Sequence, residues 1–84
     1  MDETDKRIGI IGIVITDLNC TSEINRIVHD YSSLIVGRMG IPYRERGVSV
    51  ISLIVDGCND DISAMTGKLG RVEGAAVKSM VTKK

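Results

Sequence analysis

Two stretches, IGIIGIVIT at residues 8–16 and GVSVISLIVDG at residues 47–57, are dense in side chains branched at Cβ. Such residues lose less on entering an extended strand than a helix, so both stretches read as strands. The first is apolar almost throughout. In the second, Ile51, Leu53 and Val55 alternate with Val48, Val50, Ser52 and Ile54, which leaves aliphatic groups on both sides of one strand. Strands of this kind are covered on both faces, and they belong at the centre of a sheet.

The rest of the chain is arranged around these two. Asp17 or Asn19 can accept a hydrogen bond from an orphan amide and start a helix. Cys20, Ile24, Ile27, Val28 and Tyr31 then recur at the spacing of one helical stripe. LIVGRMGI, from Leu34 to Ile41, reads as a strand that Pro42 ends, with Leu34, Val36, Arg38 and Gly40 on one side. Asn59 or Asp60 is expected to cap a second helix buried along Ile62, Met65, Thr66 and Leu69, with Gly70 closing it in a left-handed conformation. AAVKSMV, Ala75 to Val81, is the last strand. Residues 1–6 are expected to be a disordered polar tail, and 7–84 one domain, since domains run from about 50 to 250 residues.

Strand, helix, strand, strand, helix, strand is the order of an α+β, ferredoxin-like sandwich, a four-stranded antiparallel sheet with both helices on one face. The first and third strands are central in that arrangement. They are also the two most apolar here.

Two helices cover only one face of the sheet. If Ile51, Leu53 and Val55 meet the helices, Val48, Val50 and Ile54 point away from them. An aliphatic patch of several hundred square ångströms usually marks a contact surface. A homo-oligomer, dimer or tetramer, is the economical cover, with Val48, Val50 and Ile54 at its interface. Arg38 is read either as a guanidinium reaching a carboxylate between subunits or as an edge arginine in solvent. Tyr43, Arg44 and Arg46 lie at a turn, either as a solvated loop or as an anion or partner contact.

Charge and composition narrow the function classes. Eleven basic and eleven acidic side chains cancel, so nothing steers the chain toward nucleic acid or an acidic membrane. RGVSVISL, Arg46 to Leu53, follows the spacing of the third-strand signature of RNA-recognition modules, but valines and a leucine stand where bases would stack on aromatic rings. No direct nucleic-acid partner is expected, and no membrane partner, because the Ile8–Ile15 run is far too short to span a bilayer. No leader is legible in MDETDKR, and the expected location is cytoplasmic. His29, the one histidine, falls off the apolar stripe and has no orienting neighbour, so no catalytic residue is assigned and the chain is not read as an enzyme. Cys20 and Cys58 match no zinc spacing, Cys58 being read as exposed, and no metal or cofactor is assigned. An intersubunit site joining His29 and Cys58 stays open as an alternative.

GRMGIPYRERGVSVISLIVDG and ISAMTGKLGRVEGAAVKS, together with the opening RIGIIGIVITD, closely resemble the family of iron-only hydrogenase system regulators. The resemblance implies the ACT-like form of the ferredoxin-like fold, related to amino-acid-sensing regulatory domains and to the C-terminal domain of a nickel-responsive repressor. It implies a regulatory or sensing protein, oligomeric through its sheets, with a hydrogenase-system protein as a partner. An accessory subunit in hydrogenase maturation, docking through Tyr43 to Arg46, is the alternative. In amino-acid-binding relatives of this fold the ligand lies near the first strand-to-helix turn, which makes Thr16 and Asp17 ligand candidates beside Arg38, Tyr43, Arg44 and Arg46. The glycine common after that aspartate is Leu18 here, and the histidines of the nickel site are missing.

Overall fold

Residues 6–83 are described by a computed structural model. The elements are β1 (Lys6–Ile15), α1 (Thr21–Asp30), β2 (Ile35–Tyr43), β3 (Val48–Cys58), α2 (Asn59–Gly70) and β4 (Ala75–Val81). Single 3-10 turns lie at Leu18–Cys20, Ser32–Leu34 and Arg44–Arg46. The sheet runs β2-β3-β1-β4 with every neighbouring pair antiparallel. This is the ferredoxin-like arrangement, and the two β-branched runs are its centre. The expected tail falls on residues 1–5, outside the described residues, while Lys6 already belongs to β1.

β1 and β3 pair without a register break from Lys6↔Cys58 to Ile15↔Ser49. That register puts Ile11, Ile13 and Ile15 on the same side as Ile51, Leu53 and Val55, and all six are buried. Against them pack Ile24, Ile27 and Val28 of α1 and Ile62, Met65 and Leu69 of α2, in one core cluster. Gly9 is required by this packing, since a Cβ there would come 3.0 Å from the Met80 carbonyl oxygen and 3.3 Å from both Val55 and Val81 methyls. Gly12, on the other side of the strand, has only the Lys78 carbonyl oxygen at 3.9 Å.

Four local readings are corrected. β2 begins one residue later than expected, Leu34 belonging to a 3-10 turn, and it continues through Pro42 to Tyr43. Pro42 is tolerated because β2 is an edge strand, where a residue without an N–H removes no ladder bond if that position faces outward. An irregularity between Ile35 and Gly37 shifts the register, so that Ile35, Arg38 and Gly40 share a side and Val36 does not join them. At α2 neither Asn59 nor Asp60 caps the helix: Cys58 holds the cap position without a side-chain bond, and Asp60 and Asp61 sit in the first turn beside the positive end of the helix dipole. Gly70 ends α2, but Arg71 after it is right-handed, and the left-handed glycine is Gly74 at φ 93°.

Asp17 caps the 3-10 turn before α1, its carboxylate accepting the Asn19 N–H at 3.0 Å, but α1 itself begins after Cys20 with no side-chain cap bond, so neither Asp17 nor Asn19 caps that helix. Gly47, at φ 67°, closes the turn between β2 and β3. Among the described residues no helix is long and apolar enough to cross a membrane.

Candidate functional site

The side of the sheet opposite the helices is apolar and uncovered. Pairing lines its residues into rows across the strands: Gly37, Ile54, Ile10 and Met80; then Met39, Ser52, Gly12 and Lys78; then Ile41, Val50, Val14 and Ala76. Tyr43 and Val48 continue the face at one end, and Ile8 at the other. Val50 is 38% exposed, Ile54 45% and Ile41 53%, whereas their strand neighbours Ile51, Leu53 and Val55 are buried. The outer rows are aliphatic across the central strands. The middle row has only Ser52 and Gly12 at its centre, which leaves a shallow trough between two ridges. Lys78 is the one charged side chain in the three rows.

One end of the sheet gathers five of the six candidate ligand residues. Ser49 pairs with both Ile15 and Pro42, and Ile15 pairs with Ala75, so the exit of β1, the β2–β3 hairpin and the entry of β4 lie together. Thr16 donates to the Gly74 carbonyl from its backbone N–H at 2.7 Å and from its hydroxyl at 3.1 Å. The Asp17 N–H reaches the same oxygen at 3.1 Å. Both residues are thus engaged in holding their own turn. Tyr43, Arg44 and Arg46 are exposed on the hairpin, beside the apolar face.

Arg38 lies elsewhere, and on the side of the sheet that carries the helices. It pairs with Leu53 in the middle of β3, and its Nη2 donates to Asn25 Oδ1 of α1 at 2.9 Å. A groove of about 320 Å³ opens beside it, lined by Asn25, Val28, His29, Ser32, Ile35 and Arg38. Asn25 and Ser32 were not read as site residues from the sequence. Their signal was the spacing 25, 29, 32, a polar stripe along α1 and the turn after it, which gains meaning only once the β2–β3 register sets Arg38 opposite Leu53, on the helix side.

His29 is exposed, as its place off the apolar stripe implied. Cys58 is buried where exposure was expected, because it is the last residue of a central strand and is covered as α2 begins; Cys20 is buried too, and both thiols are free. Among the described residues no group of three histidine, cysteine or acidic side chains converges as a metal site would require. Between the helices runs a second groove with mixed charge, Glu23 and Asp30 facing Arg26, Lys68 and Arg71. Lys68 sits 5.3 Å from the centre of the Tyr31 ring, a cation–π distance.

Comparison with known proteins places this geometry. The model of the TM1266-like family, described as "Iron-only hydrogenase system regulator, putative", matches residues 7–79. Among solved structures the chain is similar to the uncharacterized protein TM1266 from Thermotoga maritima, with 35% identity and a TM-score of 0.87 over 93% of this chain and 99% of that one. The ACT domain from the GTP pyrophosphokinase of Chlorobium tepidum shares the fold at 22% identity, with a TM-score of 0.75 over 89% of this chain and 99% of that one. So does the C-terminal domain of the MgtC protein from Mycobacterium tuberculosis, at 8% identity and a TM-score of 0.72 over 99% of this chain and 95% of that one. No curated protein matches the chain.

Proposed function

Because this chain belongs to the TM1266-like family of iron-only hydrogenase system regulators, we propose that it is a non-enzymatic regulatory protein that works as a homo-oligomer assembled through the open face of its sheet. The supporting observation is that face itself, aliphatic across the central strands in its two outer rows and ridged by Ile54, Ile10 and Met80 on one side of the trough and Ile41, Val50 and Val14 on the other. Covering about 400 Å² of apolar area per subunit contributes roughly 10 kcal/mol before the cost of association is subtracted. Pairing through the β2 edge is the weaker route, since Pro42 and the irregularity at Ile35–Gly37 blunt that edge. Light scattering at micromolar concentration should give a multiple of the 9.1 kDa chain mass. A species of one chain mass removes the assembly from this reading.

A small polar ligand is taken at the rim of that interface. Exposed Tyr43, Arg44 and Arg46 supply a ring and two cations there, next to the Thr16–Asp17 turn. The same exposed hairpin favours a second reading, an accessory subunit that docks on a hydrogenase-system protein. Pull-down with hydrogenase maturation proteins, compared between the native chain and an R44E/R46E variant, separates the two: loss of capture on charge reversal supports docking, and capture indifferent to it counts against this loop.

A further inference from the structure

The geometry points to a binding site for a small oxyanion, a carboxylate or phosphate head group, in the groove between α1 and the edge strand β2, with Arg38 as its principal cation. This site lies on the helix side of the sheet and does not depend on how the open face is covered.

Four features carry it. Among the described residues the Arg38 side chain makes one hydrogen bond, to the neutral carbonyl of Asn25, which orients the guanidinium without neutralising it. Most of its five N–H donors remain for a planar or tetrahedral anion, which its fork geometry suits. Next, Asn25, His29 and Ser32 follow one another along α1 and the turn after it, and all line the groove. With its carbonyl engaged by Arg38, Asn25 presents its amide N–H groups, Ser32 presents a hydroxyl and His29 a ring nitrogen. Third, the groove contains no carboxylate among its lining residues. The neighbouring groove is the contrast: Glu23 and Asp30 line it beside three cations, and Asp30 already holds Arg26 at 3.5 Å, so part of its positive charge is met from within the chain. Last, Val28 and Ile35 supply an apolar wall against which the carbon body of an organic anion can lie, and the groove volume of about 320 Å³ suits a small metabolite-sized molecule.

Titration of the native protein with inorganic phosphate, and separately with acetate, followed by NMR at the Arg38 side chain and the His29 ring, tests this. Saturable shifts at both residues are expected at up to tens of millimolar of one probe, and the probe that saturates identifies the head group. Arg38→Lys keeps the charge but loses the fork, and should weaken binding roughly tenfold or more. Asn25→Asp sets a carboxylate against the guanidinium and should abolish binding while the fold persists. Arg71→Ala, in the other groove, should bind as the native protein does. The site is refuted if neither probe saturates, if both groove variants bind with unchanged affinity, or if Arg71→Ala loses binding equally.

Discussion

A methyl group at position 74 would stand 2.7 Å from the Asp17 Cβ on a backbone at φ 93°, and no side chain occupies both that space and that conformation comfortably. Gly74→Ala is therefore expected to lower stability by about 2–3 kcal/mol, read as a fall in the urea midpoint. Gly67 is the opposite case: it lies inside α2, and an added Cβ meets nothing within 4 Å. Gly67→Ala should raise stability by about 0.5–1 kcal/mol in the same titration. The sequence GKLGRVEGAAV contains both glycines beside Gly70, and spacing alone favoured Gly70 as the left-handed residue. It could not reveal that the sharp reversal comes four residues later, because that position is dictated by the Gly74 carbonyl, which must meet Thr16 and Asp17 from the other end of the chain. Met65 was legible, by contrast, since its place on an apolar stripe needed only the helical period; it is fully buried, and Met65→Ala should cost about 2–5 kcal/mol.

Periodicity identified β1, β3, α2 and β4 close to their observed limits because each repeats one pattern without interruption. β2 resisted the same reading. Its alternation is broken by an extra residue near Val36, and a proline that would end a central strand is accommodated at an edge. One misplaced residue reverses every side assignment before it, which is why Ile35, rather than Leu34 or Val36, shares a side with Arg38. That Val48, Val50 and Ile54 face away from the helices was legible for the converse reason: β3 is regular along its whole pairing with β1. Hydrogen exchange should separate these strands. Amides in β1 and β3 are expected to exchange only with global unfolding, and those of β2 through cheaper local opening. Equal protection across all four strands would contradict that ordering.

At the scale of the molecule, core and open face separate cleanly, so they can be perturbed separately. Ile54→Lys places a charge in the aliphatic row while leaving the helix side untouched. It should reduce the scattering mass to that of one 9.1 kDa chain while the circular dichroism spectrum is retained. The depression formed by Gly12 and Ser52 between the two ridges has a consequence for partner choice. Two identical copies laid ridge on ridge would leave a void at their middle, so a snug fit demands that they sit offset or rotated, each lending bulk to the other's hollow. If a second copy covers this face as proposed, a sheet of the same fold with different contours would lack that match, and relief rather than charge would set the choice of partner.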